Sequence, residues 1–137
     1  MSRPQFDAKH RFANITARKA RLLVDLVRGQ PVNRALQILG RSPQRAAVYV
    51  EGVVRSAVAN AQQKTGGNVD LNDLFVATAR VDGGPLLGGH MRWRAGAKGR
   101  AMPYRKRTSH IHISLSPRTE PPAAEAPNPA PAGEQEG

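Results

Sequence analysis

The chain has no cysteine, only six aromatic side chains in 137 residues, and no acidic residue between positions 83 and 118. Without cysteine there is no disulfide framework, no thiolate metal site and no thiol nucleophile, which suits a reducing compartment. Three phenylalanines, two tyrosines and one tryptophan are too few for the aromatic sheet face that stacks single strands. No window reaches the run of about 18 apolar residues that a membrane span needs. The opening Met1-Ser2-Arg3-Pro4-Gln5-Phe6-Asp7 lacks the apolar core of a signal peptide. These absences lead us to expect a soluble, cytoplasmic chain.

What is present is positive charge. There are 21 Lys and Arg against 10 Asp and Glu, a formal net charge of +11. Four of the acids, Glu120, Glu125, Glu134 and Glu136, fall in residues 119–137, which hold no Lys or Arg. The first 118 residues therefore carry 21 basic and six acidic groups, a net of +15. Self-repulsion of that size needs a polyanion to offset it, so nucleic acid or an anionic surface is the leading partner class.

Periodicity divides the chain. Residues 1–13 are polar and aperiodic, and read as an extended arm. Thr16 is placed to cap a helix over Ala17–Arg28, with Ala20, Leu23, Val24 and Val27 on its apolar face and Gly29 stopping it. Pro31 starts a short second helix through Leu39, with Gly40 just past its end. Ser42-Pro43 starts a third, ending at Gly66-Gly67, whose face of Ala46, Val50, Val53, Val54, Ala57, Val58 and Ala61 is small enough for close packing. From Leu74 the period becomes two: Phe75, Ala77, Ala79 and Val81 alternate with Val76, Thr78 and Arg80. Ser109, Ile111, Ile113 and Leu115 alternate likewise with His110, His112 and Ser114.

Residues 83–107, with six glycines, two prolines and no acid, are too long for a structureless loop in a compact domain. They read as a protruding two-stranded arm reaching on the order of 40 Å, with glycines at bends and at the tip. Such an arm has little to bury and needs something to lie against. It carries seven basic residues: Arg92, Arg94, Lys98, Arg100, Arg105, Lys106 and Arg107. Arginine presents a planar fork of donors that fits phosphate oxygens, and Trp93 and Tyr104 add stacking surfaces. A second basic group, Arg18, Lys19 and Arg21, opens the first helix, where positive charge conflicts with the helix dipole unless an external anion is present. After Pro117, five prolines, five alanines and four glutamates fill 14 of the positions 119–137, the composition of a disordered acidic tail.

Catalysis finds no support. His110-x-His112 puts two imidazoles on one strand face, but a metal site needs a third ligand and a His-dependent ribonuclease needs a cleft. Neighbouring Ser109 and His110 point to opposite faces. The glycine-rich run at 83–89 matches neither a P-loop nor a dinucleotide fingerprint. No cofactor, metal or small-molecule substrate is expected.

Several segments resemble, in order, a bacterial ribosomal protein family of the large subunit, the L-twenty-two family. Lys106-Arg107-Thr108-Ser109-His110-Ile111 is similar to its most recognisable segment. Arg18 through Gly29 resembles its first helix, Ser56-Ala57-Val58-Ala59-Asn60-Ala61 the end of its long helix, and Val81-Asp82-Gly83-Gly84-Pro85 and Gly99-Arg100-Ala101 parts of its hairpin. The resemblance covers roughly residues 9–116. It implies an α+β fold of three helices packed on a small antiparallel sheet with a long protruding β-hairpin. It also implies a structural, non-catalytic role: binding rRNA, bridging RNA segments during assembly and lining the nascent-peptide exit tunnel. Partners would be large-subunit rRNA, neighbouring ribosomal proteins and the nascent chain. The implied RNA-binding residues are Arg18, Lys19, Arg21, Arg92, Arg94, Lys98, Arg100, Arg105, Lys106, Arg107, Thr108 and His110; the implied tunnel-lining tip is Gly89, His90, Met91, Arg92, Trp93 and Arg94. The chain departs from the family pattern by about three extra residues between Pro85 and Gly99, by Gly88-Gly89 where basic residues are usual, and by Arg92-Trp93-Arg94 in place of a basic-Pro-basic segment. Thr16-Ala17 replaces the usual Ser-Pro. Residue chemistry without the resemblance leaves one alternative, a free-standing nucleic-acid architectural protein.

Overall fold

A computed structural model describes residues 5–118. The expected acidic tail at 119–137 lies outside the described residues. Eight elements follow one another: β1 (Phe6–Ala13), α1 (Ala17–Val27), α2 (Val32–Arg41), α3 (Arg45–Thr65), β2 (Leu74–Leu86), β3 (Arg92–Ala95), β4 (Ala101–Tyr104) and β5 (Arg107–Pro117). The strands form an antiparallel three-stranded sheet in the order β1-β5-β2 and a separate two-stranded ribbon, β3-β4. The three helices pack on one face of the larger sheet, as an α+β fold. Their apolar stripes meet the inward residues of β5, so that Leu23, Val24, Leu39, Val50, Val54, Ile111, Ile113 and Leu115 are almost wholly buried. The small residues of α3 let it lie close to β1, β5 and both other helices.

Four expectations need correction. Residues 6–13 are not a free arm: β1 pairs with β5 from Phe6↔Leu115 to His10↔Ile111, then slips by one residue before Ala13↔Ser109. Only Phe6, Ala8 and Ala13 face the core, and a bulge at Phe12 (φ +58°) interrupts their alternation. The bulge is held by the Phe12 N–H, which donates to His110 Nδ1 at 3.0 Å, and by the Phe12 ring set edge-on to His110 at 4.9 Å.

In β2 the inward phase changes midway. Leu74 and Val76 are buried, then Ala79 and Val81, because a bulge between Val76 and Thr78 inserts one residue and flips the alternation. Of the alternating set Phe75, Ala77, Ala79 and Val81, only the last two are buried. Helix boundaries also move. α2 continues through Gly40 to Arg41, with Pro31 capping it rather than opening it. Ser42 closes α2, and α3 begins at Arg45 with Gln44 as its cap.

β2 is an edge strand, and its outer carbonyls are closed by α1 and the residues that follow it. Arg21 donates from Nε and Nη2 to the Val81 carbonyl at 3.2 and 3.1 Å. Arg28 does the same to Ala79 at 3.1 and 2.7 Å. Gly29 N–H then donates to Val76 O, Val76 N–H to Gln30 O, and Pro31 bridges Phe75. Reading 21→31 along the chain therefore runs 81→75 along β2. α1 is antiparallel to β2, and its N-terminus points toward the arm.

Replacing Arg28 by Ala removes two charged hydrogen bonds from this edge. Because the arginine is half exposed and also paired with Asp25 at 2.9 Å, the expected loss is about 1–2 kcal/mol of unfolding free energy. Urea denaturation of the Arg28→Ala chain measures it, and an unchanged midpoint would exclude the edge clamp.

Candidate nucleic-acid interface

β2 and β5 leave the body together and become the root of the arm. Gly83 pairs with Ser109 and Leu86 with Arg107. The root is locked by a close approach. A Cβ on Gly84 would sit 2.5 Å from Thr108 Oγ1 and 3.1 Å from the Thr108 carbonyl, so only glycine fits. The Thr108 hydroxyl donates to the Pro85 carbonyl at 2.6 Å, and Leu87 N–H donates to Lys106 O at 2.7 Å.

Beyond the root the two legs are unequal. Leu86 pairs with Arg107 and Arg92 with Tyr104, so five residues of the outgoing leg, 87–91, oppose two of the return leg, 105–106. The three-residue excess folds into an irregular turn at Leu87–Gly89, with positive φ at Gly88 and Gly89. Pairing resumes at Arg92↔Tyr104 and runs to Ala95↔Ala101. The chain reverses at Lys98-Gly99, where both residues have positive φ (56° and 71°), as a two-residue hairpin turn demands. Arg100 N–H donates to Ala97 O, and Gly96 N–H to Arg100 O. The tip is therefore Ala97–Gly99. The expected tip residues lie elsewhere: Gly89, His90 and Met91 in the mid-arm break, and Arg92, Trp93 and Arg94 in the outgoing strand. Gly88 and Gly89, which stand where basic residues are usual in the family pattern, take the positive φ that accommodates the longer outgoing leg.

At the root, three parts of the chain converge on a concavity of about 230 Å3. Asn14, Ile15, Thr16 and Lys19 come from the start of α1, Arg45 from the start of α3, and Arg105, Lys106 and Arg107 from the return leg. Both helices present uncapped positive ends here. Thr16 and Gln44 stand at the cap positions but make no side-chain capping bond, and neither first turn contains an acid. The Thr16 hydroxyl expected to cap α1 does not. Five cations and two helix N-termini around one hollow suit an anion with several acceptor oxygens. The volume is below that of the usual small-molecule pocket, which suits a phosphate group carried on a chain.

The expected residues divide by position. Lys19, Arg105, Lys106 and Arg107 are gathered at the root concavity, and Arg105 and Arg107 also line a second hollow with Met91, Pro103 and Tyr104. Arg92, Arg94, Lys98 and Arg100 are exposed along the distal arm, and Arg18 is exposed on α1. Arg21 is tied to Val81 O through two of its three nitrogens. Thr108 is 3% exposed with its hydroxyl bound to Pro85 O, which corrects its expected role: it holds the arm root and offers no surface to a polyanion. Arg45 was missed. The signal for it was available, a cation in the first turn of a helix, the same dipole conflict noted for Arg18 and Lys19.

The two histidines of β5 are engaged separately. His110 Nδ1 accepts the Phe12 N–H, so in the neutral ring the proton lies on Nε2. His112 Nε2 lies 3.4 Å from Asp82 Oδ2, while its Nδ1 is buried without a partner. The His112 pKa is lowered from the ordinary value, first by burial and then by Arg80, with Asp82 opposing and Lys9 and His110 adding smaller repulsions. Ser109 points inward and His110 outward, so no Ser–His couple forms. Among the described residues, no three His, Asp or Glu side chains converge as a metal site, and no helix is long and apolar enough to cross a membrane.

With the geometry in place, comparison with known families finds that the model for "Ribosomal protein L22p/L17e" matches residues 8–116.

Two outcomes follow from these contacts. Gly84→Ala forces Thr108 to shift and costs about 1–3 kcal/mol, with loss of hydrogen-exchange protection at the Leu87 amide. Gly83→Ala, with nothing within 4 Å of its Cβ, is the neutral control. For His112, the folded chain binds the proton less readily than the unfolded chain. Stability is therefore full above about pH 6.5, the ordinary imidazole value, declines as pH falls through it, and levels off below the lower folded value. Urea titrations across this range should show that component vanish in His112→Gln; an identical pH slope in the variant would rule it out.

Proposed function

The chain belongs to the ribosomal protein L22p/L17e family and is a structural protein of the large ribosomal subunit in the cytoplasm; from that premise we propose how it acts there. It binds large-subunit rRNA through the arm and the concavity at its root, bridges RNA segments during assembly, and lines the nascent-peptide tunnel with the end of the arm. Neighbouring ribosomal proteins share its surface.

The convergence of Lys19, Arg45, Arg105, Lys106 and Arg107 on one hollow is the observation that most supports RNA binding. There the polypeptide supplies fixed charge and helix N-termini before the RNA arrives. Along the distal arm, Arg92, Arg94, Lys98 and Arg100 supply charge that becomes ordered with the RNA. Arg18 and the free nitrogen of Arg21 extend the surface across α1, and His110 lies beside the root on the outer sheet face. Readout is by phosphate position and RNA shape, since few side chains are available for base edges. The Ala97–Gly99 turn, carrying Lys98 at the outermost point, is the part directed at the nascent chain.

The experiment combines sedimentation with salt titration. The chain should co-migrate with large subunits; a chain found mainly in free fractions would favour a free-standing nucleic-acid architectural protein. Binding to transcribed large-subunit rRNA should weaken with salt, log affinity falling by roughly 0.7–0.9 per phosphate neutralised. Joint substitution of Arg105, Lys106 and Arg107 by Ala should reduce that slope by about 2–3. A slope unchanged by the triple substitution would remove the root concavity from the interface.

A further inference from the structure

The distal ribbon has two chemically different faces. Arg92 pairs with Tyr104, Trp93 with Pro103, Arg94 with Met102 and Ala95 with Ala101; paired residues share a face and successive residues alternate. One face therefore carries Arg92, Arg94, Met102 and Tyr104. There the Arg94 guanidinium lies 5.1 Å over the Tyr104 ring, and Met102 occupies the space where a Cβ on Gly96 would come within 2.9 Å of it. The other face carries Trp93, Pro103, Ala95 and Ala101, with no charge. Trp93 is 63% exposed, the most exposed of the chain's aromatic side chains.

Resting on the rRNA reading above, we propose that this second face is a nucleobase site, in which the Trp93 indole stacks on an unpaired base while neighbouring phosphates are held by Arg92 and Arg94 from the opposite face. The shape of the face favours a planar ring. One indole rises among low neighbours, Ala95, Ala101 and Pro103, and Pro103 also borders the hollow it shares with Met91 and Tyr104. A protein surface would bury little there, whereas base–aromatic stacking requires only the exposed π-face.

Charge favours the same occupant. The ribbon is one strand layer thick, thinner than the screening length of about 8–10 Å, so the field of its cations reaches both faces. With no acid between residues 83 and 118, that field draws a polyanion to the Trp93 side as well. RNA thus satisfies both faces at once, phosphate on one and base on the other. An apolar peptide would cover the indole but leave the arginines unpaired.

Trp93 is the only tryptophan in the chain, so its emission reports on this face alone. The full chain is titrated with a twelve-residue oligoadenylate and, separately, with inorganic polyphosphate of matched charge. Both should bind, and only the oligoadenylate should quench Trp93. Trp93→Ala should weaken oligoadenylate binding about 5- to 150-fold, the range for loss of one stack, while leaving polyphosphate affinity within about twofold. Trp93→Phe should recover most of the loss. The unfolding midpoint of Trp93→Ala should match the parent, since the side chain lies outside the core. Equal quenching by both ligands, or full oligoadenylate affinity in Trp93→Ala, overturns the nucleobase site while leaving phosphate binding intact. Failure of both ligands to bind overturns the rRNA reading beneath it. A blue shift with an apolar decapeptide, and no quench with oligoadenylate, overturns the site in favour of a polypeptide occupant.

Discussion

The grip of α1 on the free edge of β2 is the interaction from which the placement of the interface follows. An edge strand exposes a row of unpaired carbonyls, and here two of them, on Ala79 and Val81, each accept a pair of bonds from one guanidinium. Arg21 and Arg28 are seven residues apart, two helical turns, and so lie on one side of α1. Their carbonyl partners are two residues apart on one strand and so point to the same edge. The Gly29–Pro31 segment continues the contact down to Phe75. This runs the helix antiparallel to β2 and delivers its positive end to the place where β2 and β5 leave the body. Lys19 and the uncapped amides after Thr16 lie at the arm root for that reason.

The same interaction shows why charge alone overstates an interface. Arg18, Lys19 and Arg21 are indistinguishable in sequence, three cations in one helical turn. In the fold Arg18 is exposed on the surface, Lys19 lines the concavity and Arg21 closes the sheet edge. Arg45 joins the root from the first position of α3, which starts two residues later than Ser42-Pro43 suggests. Helix starts read from cap residues are displaced by a residue or two, yet Arg45 falls in the first turn of α3 with either start.

What was legible followed from unbroken periodicity. The apolar stripe of α1, the small face of α3 and the alternation of β5 all survive into the structure with little change. What was not legible lies where one extra residue breaks the period. The bulge at Phe12 hid β1, the bulge after Val76 inverted the inward face of β2, and the three extra residues at 87–91 moved the tip from the expected 89–94 to the turn at Lys98-Gly99. The true turn carries a lysine where Asn or Gly is usual, so nothing local announced it. Of the interface, the acid-free arm and its cations could be read from composition. The hollow at its root could not, because it is assembled from three segments far apart in sequence.

The arm is ordered by unlike means at its two ends. At the root, Gly84 lets backbone meet backbone, Thr108 is buried, and its hydroxyl ties the two legs together. Beyond residue 87, only Gly96 and Tyr104 among residues 88–106 are even partly shielded from water. A ribbon that buries so little gains nothing from a core to offset the entropy of holding its legs in register. Its cations also repel one another at short range. Both costs fall when a polyanion lies along it, since neutralisation removes the repulsion and contact supplies the missing burial. In the proposed complex the root thus provides a preformed foothold, and the distal arm takes its final order from the RNA. On that reading the helix N-termini and five cations sit at the end tied to the body, and the lone tryptophan lies exposed on the end that buries least.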